Sequence, residues 1–154
     1  MISKEDINLC LAETHKHVRR VQFFLNKIIA SLISRGENHD NSKFEEPELS
    51  IFASQTSKLS SVQYGSPEYK QLLEDVKPAI LHHYSRNSHH PEFHKNGIDD
   101  MDLVDIMEML CDWNAAGERN KNGNIRKSIE INAEKYSISP QLRRILENTV
   151  KKYF

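Results

Sequence analysis

The chain has 154 residues, 38% of them apolar and 28% charged, with a formal net charge of −1 at pH 7. That length carries one domain with a real core, and the apolar share excludes a disordered chain. A charge this close to zero argues against long nucleic acid or an anionic membrane surface as partner, and no stretch approaches the roughly 20 apolar residues of a membrane span.

Two cysteines, Cys10 and Cys111, fall within apolar helical patterns. They read as buried free thiols rather than a disulfide, which makes a reducing cytoplasm the expected setting. Residues 1–6 are charged and lack the apolar core of a secretion signal. The eight histidines are the compositional oddity, and five of them lie between His82 and His94.

Ser3, with Asp6 three residues on, is a capping signal. A helical pattern runs from there to about Arg35, where Gly36 is expected to stop it. Leu9, Cys10, His17, Val21, Phe24, Leu25, Ile28 and Leu32 share one stripe, which predicts that His17 is buried. A histidine there is either a core imidazole satisfied by one hydrogen bond or a ligand. The polar stretch 37–43 follows. Within it His39-Asp40 offers a metal an imidazole nitrogen and a carboxylate oxygen from adjacent positions. The structural alternative is that Asp40 or Asn41 serves only as a helix cap.

A short helix is expected from Pro47 to about Ser54. Residues 55–65, rich in Ser, Thr and Gln, read as a loop. Ser66-Pro67 opens the next helix, which runs through Leu72, Leu73, Val76, Ile80 and Leu81 to His83. Pro78 inside it predicts a kink or a division. Residues 86–100 contain Pro91 and Gly97 and read as a loop carrying His89, His90 and His94. Loops set on a rigid scaffold often hold ligands; the alternative is a solvated His-rich loop.

A strong helical pattern covers Asp99 to about Gly117. Leu103, Ile106, Met107, Leu110 and Cys111 lie on one side, and Asp102, Asp105, Glu108 and Asp112 share the other. Acidic faces ordinarily meet water. Here Met101, Met109, Trp113 and Ala116 flank the acids, so the helix is expected to be buried all round, and a buried carboxylate needs a partner such as a metal. Two further helices, from about Asn124 to Tyr136 and from Ser139-Pro140 onward, read as scaffold. No alternating strand pattern occurs. The expected fold is all-α: a single-domain bundle of about six to seven helices over residues 1–154. Its metal-site core covers about 10–120, with C-terminal scaffold helices at about 124–153.

Imidazoles with carboxylates suit divalent Mn, Fe, Zn, Co or Ni better than calcium, and one or two such ions are expected. A coordinated water has its pKa lowered toward neutrality and becomes a nucleophile. Two ions roughly 3.5–4 Å apart clamp the oxygens of a phosphoester. No phosphate-binding G-x-x-x-x-G-K-[ST] loop, G-x-G-x-x-G, C-x-x-C or H-E-x-x-H occurs.

The order His17, then His39-Asp40, then a helical Asp late in an all-α chain resembles the HD-domain metal-dependent phosphohydrolases. His17-Val18-Arg19-Arg20-Val21 resembles that superfamily's first-helix motif, and His39-Asp40-Asn41-Ser42-Lys43 is similar to its H-D-x-x-K form. Asp112, within Leu110-Cys111-Asp112-Trp113-Asn114-Ala115-Ala116, looks like the final ligand. These segments, with Asn87 to Glu92 and Met109 to Trp113, also resemble a small HD-related family of phage and bacterial proteins.

The resemblance implies that His17, His39, Asp40 and either Asp112 or Asp105 hold the first metal. His83, His89 and His90 match the extra positions of two-metal members, although here the His89-His90 pair follows within one loop instead of on a later helix, and His82 competes with His83. Asp40 and Lys43 are the implied catalytic pair. Lys43, Arg86 and Arg119 are the cations expected at a substrate phosphate, and Glu92 is expected as a general base or as the partner orienting a histidine. The implied function is a metal-dependent phosphohydrolase acting on a nucleotide or another small phosphoester. The alternatives are a di-iron oxygenase of HD-like fold and a non-catalytic helical binding or inhibitor protein with a structural metal. A homodimer remains open, and no membrane partner is expected.

Overall fold

In the computed structural model, residues 1–59, 66–119 and 123–154 are described. Among them there is no strand. The helices are α1 (Lys4–Asn38), α2 (Glu48–Leu59), α3 (Pro67–Arg86), α4 (Leu103–Glu118), α5 (Ile125–Lys135) and α6 (Pro140–Tyr153). Short 3-10 turns at Asn41–Phe44, Pro91–Phe93 and Gly97–Asp100 fill the connections. The chain is all-α, as its patterning predicts. It forms two compact units, Met1–Glu37 and Asn38–Phe154.

The first unit is α1. Its start is the predicted reciprocal cap: the Asp6 amide donates to Ser3 Oγ at 3.0 Å, and Ser3 Oγ and the Ser3 amide both donate to Asp6 Oδ2, at 2.6 and 3.3 Å. Two expectations fail here. The helix runs through Gly36 to Asn38; glycine lowers helical stability but does not forbid helical angles. Nor is any residue of α1 buried. Phe24 and Leu25 are 51% and 53% exposed, and His17 and Cys10 are exposed with them. A helical stripe marks a face that gains from apolar contact, but it does not supply the contact.

The second unit contains two packed groups. In one, α2 lies against α3. Leu72, Val76, Ala79 and His83 are buried at helical spacing along α3, so the stripe that makes the core ends in an imidazole. Helix α3 continues through Pro78 without a break. Pro78 itself is exposed, and the buried stripe keeps its helical spacing on both sides of it. Helix α2 extends to Leu59, beyond the expected end at Ser54. Its hydroxyls fold back onto the helix, Ser54 to the Ile51 carbonyl at 2.8 Å and Thr56 to that of Phe52 at 2.7 Å, so polar composition did not mean loop. The rest of the expected loop, residues 60–65, lies outside the described residues.

In the other group, Leu110, Ile129, Ala133, Ile138, Leu146 and Val150 join α4, α5 and α6 in one apolar cluster. Helices α5 and α6 start where the sequence predicts, with Asn124 accepting from the Arg126 amide and Ser139 from the Leu142 amide. Helix α4 starts later than expected, at Leu103. Residues 97–100 form their own 3-10 turn, and Asp102 is the cap. Cys111 is exposed rather than buried, because one helical step carries it off the face that buries Leu110.

Candidate metal centre

The site begins where α1 ends. Asp40 has φ 58 and ψ 19, the left-handed conformation, which few residues other than glycine adopt. The turn that follows is closed by the Lys43 amide donating to the Asp40 carbonyl at 2.8 Å. His39 and Asp40 therefore stand at a sharp change of chain direction, just before the 3-10 turn that carries Ser42 and Lys43.

Three other segments converge on them. The end of α3 supplies His83, the loop behind it supplies His89 and His90, and α4 supplies Glu108 and Asp112. Asp40, His83, His89 and His90 each place one ligand atom within 4.8 Å of the others. His39, Asp40 and Asp112 form a second such group, and His39, His89 and Glu108 a third. Between His83 Nε2 and Asp40 Oδ1 the distance is 3.2 Å, and between His89 Nε2 and the same oxygen it is 3.5 Å. His39 Nε2 stands 3.5 Å from Asp40 Oδ2 and 3.7 Å from Asp112 Oδ1. The two oxygens of Asp40 thus face two different sets of donors.

The far side of each ring explains the aim of the near side. Glu108 Oε1 lies 2.8 Å from His39 Nδ1 and 3.1 Å from His89 Nδ1. Glu48, fully buried at the start of α2, lies 2.7 Å from His82 Nδ1 through Oε1 and 3.0 Å from His83 Nδ1 through Oε2. A carboxylate at Nδ1 fixes the tautomer that carries its proton there and leaves Nε2 as a lone-pair donor, as around bound metals. The third group is therefore best read as support, with Glu108 holding two rings from behind. Ser42 donates to Glu48 Oε2 at 3.1 Å and Asn87 to the His83 backbone carbonyl at 2.8 Å, while Ser42 Oγ and Asn87 Nδ2 stand 3.1 and 3.0 Å from His83 Nδ1 and brace the ring.

Four buried atoms in this cluster have no hydrogen-bond partner: Asp40 Oδ1 and the Nε2 atoms of His83, His89 and His90. Buried polar atoms left this way are costly. Four of them converging, three imidazole nitrogens and one carboxylate oxygen, match the donor chemistry of a divalent transition metal.

The electrostatics fit the same reading. Burial, with the imidazoles of His89 and His83 alongside, pushes His90 down to about 4, so it is a neutral donor at pH 7. Burial pushes the Asp40 carboxyl up, but the neighbouring His83 imidazole and the Lys43 ammonium outweigh it and hold the group well below the usual carboxylate range. Asp112 is likewise pushed up by burial and brought below its ordinary value by His39. The carboxylates of Asp112 and Glu108 raise His39 to about 10, so its ring carries both protons at pH 7 and must lose the one on Nε2 before it can ligate an ion. Glu48 ends below its ordinary value because its bonds to His82, Ser42 and His83 outweigh burial.

A cavity of about 750 Å³ opens beside the cluster. Its lining includes His39, Asp40, His83 and His90 of the cluster, the polar Lys43, Tyr84 and Arg119, and the apolar Phe44, Leu49, Phe52 and Ile80.

The remaining predicted residues are not members of these groups. His17 is on the first unit, exposed on α1, and belongs to none of the three groups. Of the pair His82-His83, His83 enters the cluster and His82 pairs with Glu48. Asp105 is buried, but it completes the cap of α4 by accepting from the Asp102 amide at 3.0 Å, and it takes the Ser88 hydroxyl at 2.7 Å. It too is in none of the groups. Arg86 is exposed at the end of α3 and does not line the cavity.

Glu92 accepts from Tyr136 Oη at 2.9 Å and from Lys135 Nζ at 3.1 Å. It ties the Pro91–Phe93 turn to the end of α5, next to the two histidines that turn follows. Sequence reasoning missed Glu48 and Glu108 as parts of the site. Glu108 had a signal, since it shares the acidic face of α4 with Asp112. Glu48 had none beyond its place at a helix start.

No curated protein and no solved structure matches the chain. Residues 6–152 match the family of unknown function DUF5662, and the chain belongs to that family.

Proposed function

We propose that this chain is a metal-dependent phosphohydrolase of the HD-domain type, acting on a nucleotide or another small phosphoester. The observation that carries the reading is the convergence of four unpartnered buried donor atoms beside a cavity large enough for such a ligand. Asp40, His83, His89 and His90 would hold a divalent metal, with His39 and Asp112 beside them. A bound metal of this kind supplies Lewis acidity and a coordinated water of lowered pKa. The protein does the rest. Glu108 and Glu48 keep the imidazoles oriented. Lys43 and Arg119, in the cavity lining, offer cations to a phosphate. The apolar side chains of Phe44, Leu49, Phe52 and Ile80 offer contact to the apolar part of a substrate.

The test is phosphate release from a panel of nucleotides and sugar phosphates, with protein loaded in turn with Mn, Fe, Co, Ni and Zn. Activity is expected with at least one ion, and Asp40→Ala should abolish it. Metal-loaded protein that releases no phosphate from any substrate would sink the proposal. Oxygen uptake by the iron form without phosphate release would instead support the oxygenase alternative.

A further inference from the structure

The two faces of Asp40 are not equivalent. On the inner face, Oδ1 meets His83 Nε2 and His89 Nε2, and these atoms, like His90 Nε2, carry no hydrogen bond. On the outer face, Oδ2 accepts a hydrogen bond from Lys43 Nζ at 2.5 Å. His39 Nε2 and Asp112 stand around that same face. The inner set has its donors ready and no cation among them. The outer set already has one: an ammonium that the intervening turn holds against the carboxylate, its own backbone amide bonded to the Asp40 carbonyl.

A dication entering the outer set must expel that ammonium from a short charge-assisted hydrogen bond. Its reward there is only one imidazole and two carboxylates, one of them shared with the inner ion. The inner set, with three imidazoles and one carboxylate oxygen, asks for no such exchange and favours Zn, Fe, Co or Ni over the harder Mg and Ca.

We propose that the centre is built for one tightly held divalent ion at Asp40, His83, His89 and His90. The Lys43 ammonium serves as the second cation, neutralising the outer oxygen of Asp40 and excluding a second metal from His39, Asp40 and Asp112. The inference rests on reading the cluster as a metal centre. It differs from a two-metal site in what fills the outer position.

Stoichiometry tests it without reference to activity. Full-length protein is stripped with a chelator, desalted and titrated with Co²⁺ alone, following the visible ligand-field bands. Metal content after gel filtration gives an independent count. Wild type is expected to saturate at one equivalent and Lys43→Met at two. Lys43→Met combined with Asp112→Asn should return to one, and Lys43→Arg, which keeps a cation, should stay at one. Two equivalents of like affinity in wild type, or one in Lys43→Met, would overturn the role of the lysine and leave the metal centre standing. No bound cobalt in wild type would overturn the centre itself. The wild-type count decides even if a variant fails to fold, which far-UV circular dichroism would reveal.

Discussion

Asp40 concentrates the chemistry of this chain in one residue. Its backbone sits at φ 58, a conformation that costs free energy in most residues and persists only where the surroundings impose it. Its carboxylate faces imidazoles on one side and an ammonium on the other. Without metal, these charges leave a signature in stability. His39 is raised from 6.5 to about 10, so its contribution is complete below 6.5 and is lost as pH rises through 10. His90 is lowered from 6.5 to about 4; its contribution is complete above 6.5 and is lost as pH falls toward 4. Asp40, held below its ordinary 3.8, adds a further loss at lower pH. The chelated protein should therefore have its highest unfolding midpoint near pH 6.5, declining on both sides. His39→Gln should flatten the decline between pH 6.5 and 9 and spare the acid limb. Urea unfolding from about pH 4 to pH 9 measures both, and a wild-type midpoint still rising at pH 9 would contradict the assignment.

At the scale of the element, α4 decides whether the site is assembled. It carries Glu108, which holds two rings, and Asp112, one turn further on the same face. Its start is fixed by a reciprocal cap, with Asp102 Oδ1 accepting from the Val104 and Asp105 amides at 2.7 and 2.8 Å while Asp105 answers to the Asp102 amide. Asp102→Ala removes one half of that box and should cost about 1 kcal/mol of stability. Because Asp102 is exposed and distant in role from the donors, bound metal per folded chain should be unchanged. Thermal unfolding with parallel metal analysis separates the two readouts, and a variant that loses metal while folded would mean that the cap also sets the site. The sequence made α4 legible as a helix with an acidic face. It did not distinguish the acid that caps from the acid that joins the cluster, because Asp105 and Asp112 lie seven residues apart on nearly the same side. The Ser88 hydroxyl, from the loop before α4, and the Asp102 amide at the start of the helix separate their roles. The histidines were legible by type and clustering. The choice of His83 over His82 lies in the stripe Leu72, Val76, Ala79 and His83 that α3 buries, since Glu48 reaches both rings and does not tell them apart.

For the molecule as a whole, composition and periodicity were enough to give an all-α chain and the starts of α5 and α6, while clustering and resemblance single out His39, His89 and His90 and leave His82 and His83 as alternatives. They failed where an outcome depends on what lies opposite a face: the exposed stripe of α1, the exposed cysteines, the unbroken α3. The candidate metal centre belongs to the second class, because its donors come from segments far apart in the chain and meet only in the folded unit Asn38–Phe154. The unfolded chain has no such arrangement of Asp40, His83, His89 and His90, so an ion bound there stabilises the native state by mass action. At free metal 100-fold above its dissociation constant the gain is about 2.7 kcal/mol. For a chain of this size that corresponds to a rise of about 5–10 °C in the unfolding midpoint. Adding zinc or cobalt to chelated protein should produce that rise, EDTA should reverse it, and Asp40→Ala should be indifferent to both. If the midpoint of wild type stays fixed as metal is raised through the micromolar range, the four unpartnered atoms do not hold an ion. Their burial would then need another explanation, since apolar packing alone does not offset so many unsatisfied donors and acceptors in one place.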